Sequence, residues 1–384
     1  MQLQPFVLLS LVSIWRPKKW SSSLAVTLYS LYTVVSLIVY YTFMISEILD
    51  IILLAENVQQ IMENMIQLIN ITNVTQKSFS FLSKRKKIIR FIDMFFDDVA
   101  LPQTPEEEAI QKKFDDESRS NTHKLAGLYS ISVFTFVYMP YFVSDIEDRV
   151  LPYRGWLPYS LDSVRNYRIA YLHQAWAVTI AASVNASTEV LVSGFMIQIC
   201  AQFRILEERF ARLTQTVKAM RDGGIDEGLV FAEEKKLLVK LIQHHLKIFE
   251  MAELLNDIYV FVILFQFAAS IVVLCVCTYN LALCPSVNSD FVTIFLFQSC
   301  MLLQIFLYTW YGNEITLRST DLGNNILLTD WRHLSQTGIK NLMIIYQRTT
   351  KPIIMSSGYV ITLSNVAFTS IVKTSYSVYN VLSV

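Results

Sequence analysis

The chain has 384 residues, 53% of them hydrophobic and 17% charged, with a mean hydropathy of +0.40. An average soluble domain carries about 25% charged residues, so this composition excludes an ordinary soluble globule and intrinsic disorder alike. The 32 Lys and Arg balance the 32 Asp and Glu, which leaves no basic field to gather nucleic acid.

The N-terminal MQLQPFVLLSLVSIWRPKKW places Arg16, Lys18 and Lys19 after a short apolar stretch, the reverse of a cleaved signal peptide. A bilayer core about 30 Å thick is crossed by about 20 apolar helical residues. Six uncharged windows of that size follow: Trp20 to Ser46, Leu125 to Ser144, Ile169 to Thr188, Ile258 to Ser289, Phe291 to Asn313, and Pro352 to Val372 with a tail to Val384. A seventh, from Ile48 to Ile71, is interrupted by Asp50, Glu56 and Glu63 but is otherwise dense in Ile, Leu and Met. Asn280, Pro285, Asn288, Ser289 and Asp290 supply a turn that makes the fourth and fifth windows a helical hairpin. The expectation is one all-α, polytopic membrane domain over 1–384, with seven transmembrane helices at about 22–46, 48–72, 124–144, 170–200, 257–281, 291–313 and 355–382.

Charge asymmetry orients this layout. One side collects 27 Lys and Arg, ten of them between spans two and three and nine between spans four and five, against four opposite (Arg149, Arg154, Arg165, Arg168). The positive-inside rule then predicts a cytoplasmic N-terminus and, with seven spans, an extracellular C-terminus. The sequons at Asn70 and Asn73 would approach the cytoplasmic face and that at Asn185 would lie inside a span, so none is expected to be glycosylated.

Two stretches outside the spans, 204–256 and 314–352, are expected to build a cytoplasmic helical anchor bundle. RDGGIDEG (Arg221 to Gly228) breaks the first, and Leu238, Leu241, Ile242, His245, Ile248, Phe249, Ala252 and Leu255 then recur at helical steps. Such an apolar stripe needs a partner helix, and Ser335 to Tyr346 is the nearest choice. The KRKKIIR cluster from Lys84 reads as a positive-inside marker, and the loop with Pro152, Trp156 and Pro158 as an extracellular aromatic cap.

Nucleophile elbows, phosphate-binding loops and HExxH are absent, so an enzyme is not expected. Cys200, Cys275, Cys277, Cys284 and Cys300 and the five His show no metal-ligand spacing, and no metal or other cofactor is expected. Glu189 interrupts the fourth span, which calls for water or a pairing base. In the last span Thr362, Asn365, Thr369, Lys373, Tyr376, Asn380 and Ser383 fall on one helical face. Lipid cannot satisfy such a stripe. One copy cannot enclose a pore, whereas several around an axis can. A ligand cavity would draw on the outer halves of spans two, three, four and six, where Gln59, Thr135, Tyr138, Met139, His173, Trp176, Ile180, Phe297, Gln298 and Met301 occur.

Tyr308 to Trp331 (YTWYGNEITLRSTDLGNNILLTDW), Lys351-Pro352 and Val372 to Leu382 (VKTSYSVYNVL) strongly resemble the insect odorant receptor family. Trp15-Arg16-Pro17 and the Pro152/Trp156/Pro158 loop agree, so the resemblance covers essentially the whole chain. It implies a subunit of a ligand-gated, non-selective cation channel of inverted seven-helix topology in the plasma membrane of olfactory dendrites. Such channels are tetramers that open around the last helix. The chain resembles a tuning subunit, which binds a small volatile and acts with the shared co-receptor subunit Orco. By similarity Tyr379, Leu382 and Ser383 match positions of the outer pore and gate, while the polar stripe favours Tyr376, Asn380 and Ser383. The resemblance also places the ligand pocket between spans two, three, four and six. A gustatory-type homomeric channel and a G-protein-coupled chemoreceptor are the alternative readings.

Overall fold

The computed structural model describes residues 10, 15–16, 20–54, 57–143, 149–283, 286 and 289–382. Among the described residues it is almost wholly helical, and local chemistry sets the ends of several of its helices. Helix α1 (Ser23–Leu53) starts at Ser22, whose hydroxyl accepts from Ala25 N, and α2 (Val58–Ser83) at Asn57, whose side chain accepts from Gln60 N. Helix α3 (Arg85–Met94) follows, and α4 (Pro105–Val133) opens on a capping box. There Thr104 accepts from Glu107 N and Glu107 Oε2 accepts from Gln103 N at 2.9 Å, with Pro105 at the first helical position. A π turn over Phe134–Tyr138 leads into α5 (Met139–Val143). Pro140 explains it: proline has no N–H for the carbonyl of Phe136 and its ring crowds that carbonyl, which the wider turn relieves.

Helix α6 (Val164–Asp222) runs 59 residues and α7 (Glu227–Leu283) 57, each about 85–90 Å at 1.5 Å per residue. Both therefore extend well beyond a bilayer. Between them Gly224 adopts φ +68° and the Asp226 carboxylate accepts from Gly228 N, which is the break expected from RDGGIDEG. Helix α8 (Ser289–Leu328), α9 (Gln336–Thr349), a two-stranded hairpin pairing Ser356 with Thr362, and α10 (Asn365–Leu382) complete the chain. By length and composition α1, α4 with its extension, α6, α7 and α8 can each cross a membrane.

The α1 surface is inverted relative to a soluble helix. Tyr29, Ser36, Tyr40, Ser46, Glu47 and Asp50 are buried while Leu24, Leu28, Leu31, Ile38, Ile45 and Ile52 are exposed. This is the arrangement of a helix that faces lipid. Helix α6 is the axis of the bundle: 89% of its most apolar window is buried, against 33% for α1. A large apolar cluster joins α6 to α7, α8, α4 and α3, and a smaller one joins it to α1, α2 and the π turn.

Three sequence expectations need correction. Helix α1 runs on to Leu53 and α2 begins at Val58, where Asn57 supplies a side-chain cap, so the break between them is not near Glu47; Glu47 and Asp50 are inside α1. Lys77 is not a loop residue but lies in α2, wholly buried; removing it from the charge count leaves the asymmetry intact. Thr362 belongs to the hairpin, and the last helix begins only after Ser364, whose hydroxyl accepts from Ala367 N. Cys284 lies outside the described residues, as do Lys18, Lys19, Pro285 and Asn288.

The end of the bundle beyond the apolar windows of α6 and α7 forms the anchor. The stripe on α7 is buried as expected, with Leu238, Leu241, His245, Ile248, Ala252 and Leu255 in the interior. Helix α9 is its partner: Glu234 accepts from Ser335 N and Oγ, and the Arg348 guanidinium stacks 3.8 Å above the Phe249 ring. Arg209 ties the anchor together. It donates to Glu107 Oε2, to the carbonyls of Val99 (2.6 Å) and Leu101 (2.7 Å), and to His244 Nδ1 (3.0 Å). Because Arg209 can only donate, His244 Nδ1 is the acceptor and its Nε2–H donates to Gln202 Oε1 at 2.8 Å. Burial would push the Glu107 carboxyl up, but Arg209 and Arg212 outweigh it and hold Glu107 below the usual carboxylate range. Two residues of the KRKKIIR cluster are paired within the chain, Lys87 to Asp257 and Arg90 to Glu250.

Candidate ligand-binding and pore-lining sites

Two regions carry polar groups that an apolar bundle must account for: the end capped by residues 149–163, and helix α10. At the cap end, Ser46 Oγ donates to the Trp156 carbonyl at 2.7 Å and Gln174 exchanges two bonds with the backbone of Tyr153. The cap is thereby fastened to α1 and α6. A Cβ at Gly155 would come within 2.5 Å of Ser46 Oγ, so glycine there lets Ser46 keep its bond to Trp156. Beneath it the Tyr153 ring lies 5.8 Å from Phe43 and 4.7 Å from Phe136.

The expected ligand-binding residues fall in two groups. Tyr138, His173 and Ile180 border the smaller cluster. The Tyr138 hydroxyl lies 2.9 Å from Thr179 Oγ1, His173 Nε2 lies 2.8 Å from Thr42 Oγ1, and the His173 ring is 6.4 Å from Phe43. Thr135 is half-buried in the π turn beside them. Phe297 and Met301 belong instead to the larger cluster, and Gln298 donates to Thr278 Oγ1 at 3.3 Å. Met139 and Trp176 each expose 45% of their surface. The Gln59 side chain lies outside the described residues.

The sequence reading passed over Phe43, Phe136, Tyr153 and Glu47. Their signal was present in part: with the turn moved to Leu54, Phe43 and Glu47 become an i, i+4 pair on one face of α1. It also passed over a buried polar chain between helices. Asn73 on α2 donates to Gln266 on α7 at 2.5 Å, Gln266 donates to Gln304 on α8 at 2.6 Å, and Gln304 donates to Tyr129 on α4. Burial of Asn70, Asn73 and Asn185 leaves these sequons inaccessible whichever way the chain is oriented.

Helix α10 packs through Ile371 and Ser375, both buried, against α7 and α8, with Phe368 edge-on to Phe306 at 5.7 Å. The remaining surface is open. Asn365, Thr369, Lys373, Tyr376 and Asn380 are all exposed, so the described part of the expected polar stripe lies on the open surface of the helix. Side chains of Tyr379 and Leu382, and Ser383 entirely, lie outside the described residues.

The sequence profile described as 7tm Odorant receptor matches residues 57–376. The chain belongs to the odorant receptor family. Among curated relatives it is 28% identical over 255 residues to odorant receptor 9a of Drosophila melanogaster, a match covering 66% of this chain and 61% of that one. It is 23% identical over 267 residues to Drosophila odorant receptor 85c, covering 67% and 65%, and 23% identical over 248 residues to odorant receptor Or2 of Anopheles gambiae, covering 64% of each. The chain thus spans a little under two thirds of the length of these relatives. Among solved structures, the insect olfactory receptor OR5 from Machilis hrabei, determined alone and in complex with eugenol, superposes with a TM-score of 0.85 at 14% identity, over 99% of this chain and 96% of that one. The shared fold is that of an insect olfactory receptor, and the multi-pass membrane architecture follows from the family and the apolar helices together.

Proposed function

We propose that this chain is the odorant-binding subunit of a ligand-gated, non-selective cation channel, acting in a tetramer with an Orco-type co-receptor in the plasma membrane of olfactory neurons. The observation that carries the reading is the exposed polar face of α10 in a membrane protein. Hydrocarbon leaves such a face unsatisfied, so it must meet water or protein. Copies of α10 around a symmetry axis meet both needs, water inward and neighbouring subunits sideways. Lys373 would repel cations on the pathway and is assigned to the subunit boundary.

The charge asymmetry supports a cytoplasmic anchor and an extracellular cap. The ligand is then a small apolar volatile held beneath the cap, near Thr135, Tyr138, His173 and Ile180, with Phe297, Gln298 and Met301 as the contribution of α8. The Machilis receptor that shares this fold was solved in complex with eugenol. A ligand that fits better when the α10 helices stand apart shifts the population toward the open channel.

The test is whole-cell recording under an odorant panel with G-protein signalling blocked. Fast cation current only in cells that also express the co-receptor is expected. Current from the chain alone would indicate a self-sufficient homomer, and responses that depend on G-proteins would overturn the channel reading.

A further inference from the structure

Glu47 is wholly buried, and neither of its carboxylate oxygens has a hydrogen-bond partner among the described residues. Asp50 follows three residues later, also buried, and its like charge acts on Glu47. Asp50 is already engaged, by Asn64 Nδ2 and by Arg154 Nε at 3.7 Å. The fold therefore brings two acids and one base to this place, and the base goes to the other acid. An ionised carboxylate buried without a partner costs several kcal/mol. Glu47 is tolerable only as the neutral acid or beside a cation that comes from elsewhere.

Aromatic rings stand alongside. Phe43 lies one turn before Glu47 on the same face of α1. Tyr153, on which the Glu47 charge acts, packs against both Phe43 and Phe136. A carboxylate next to aromatic rings is the composition that recognises an ammonium group: the acid accepts its N–H bonds, and the ring quadrupoles attract its charge. A neutral ester or alcohol leaves half of that capacity unused. The Phe43 ring also lies 6.4 Å edge-on from the His173 ring, so the place is continuous with the pocket residues on α6.

We propose that Glu47, Phe43 and Tyr153 form an ammonium-recognising subsite, which makes basic volatile amines an agonist class of this receptor. The inference rests on the channel reading above. Tyr153 is fixed at its backbone by Gln174, so its side chain is the element that turns aside to admit the amine.

The probe is a primary alkylamine together with the alcohol of the same carbon skeleton, applied to cells expressing the chain and co-receptor, with neutral odorants as reference. The amine is expected to gate the wild type at a concentration about tenfold below the alcohol, a difference of about 1.4 kcal/mol in binding. Glu47→Gln should raise the half-maximal amine concentration at least about tenfold while moving that of a neutral agonist less than about threefold. Glu47→Asp should keep part of the amine preference. Neutral odorants that open the channel while no alkylamine does, or equal amine responses from wild type and Glu47→Gln, would overturn the proposal. Should Glu47→Gln fail to reach the surface, Phe43→Leu supplies the comparison: a larger loss for amine than for alcohol supports the subsite, and equal losses refute it. Silence to every compound from channels shown to be at the surface would overturn the channel reading and this inference with it.

Discussion

Lys77 Nζ lies 2.6 Å from Glu189 Oε1 with both side chains wholly buried, so an ion pair joins α2 to α6 inside the helix bundle. Asn185, one turn earlier on α6, accepts a second bond from Lys77 at 2.8 Å. This is the pairing base that the intramembrane Glu189 called for. Removing one member strands the other charge where neither water nor lipid can solvate it. Lys77→Met is expected to destabilise the protein by about 3–5 kcal/mol, whereas Lys77→Met with Glu189→Leu should recover most of that loss. Thermal unfolding of the detergent-solubilised single and double variants measures the coupling, and additive losses would contradict it.

Arg209 uses the planar fork of its guanidinium to reach four different groups in the anchor. A lysine keeps the charge but not the directions. Arg209→Lys should therefore behave like a loss, costing about 2–3 kcal/mol from unpaired buried acceptors, with faster amide exchange in the segment that carries the Val99 and Leu101 carbonyls. Protection equal to wild type would show that a point charge suffices.

His245 lies in the anchor part of α7, edge-on to Phe249, and burial together with nearby Arg348 pushes its imidazole down to about 4. Its folded-state pKa is below the ordinary value of about 6.5, so acid favours the unfolded chain. The contribution is complete above about pH 6.5 and is lost as pH falls toward 4, a total of about 3 kcal/mol at most. His245→Phe keeps the ring contact and removes the proton. Its unfolding temperature should fall less between pH 7 and 5 than that of wild type; identical slopes would assign the acid sensitivity elsewhere.

Gly312 lies where α8 meets the start of the last helix. A Cβ there would collide with Leu363 and come within 3.1 Å of its carbonyl oxygen. Leu363 N donates to Met355 O at 2.9 Å, so it cannot yield without disturbing the hairpin that delivers α10. Gly312→Ala should cost about 1–3 kcal/mol through overpacking and alter gating in single-channel recordings. Wild-type gating and stability together would show that the hairpin is free to shift.

Tyr379 is assigned to the gate by family resemblance. Its replacement by Ala should raise basal leak or change ion preference in coexpressing cells, and unchanged currents would remove it from the gate.

The long apolar windows, the anchor stripe on α7 and the polar face of α10 were legible in the sequence because each is periodic along one helix, and periodicity is a local property. The break at RDGGIDEG and the burial of the α7 stripe follow from the same local rules. Hydropathy alone misplaced the first turn, since Glu47 looks like a loop residue until Asn57 is seen to cap the second helix. Only tertiary packing decided that Lys77 meets Glu189, that Asn73, Gln266, Gln304 and Tyr129 form one chain, and that Glu47 is left without a partner among the described residues. These contacts join residues 38 to 193 positions apart on different helices. The pairing of buried polar groups is fixed by which helices pack against which, and no spacing along a single helix encodes it.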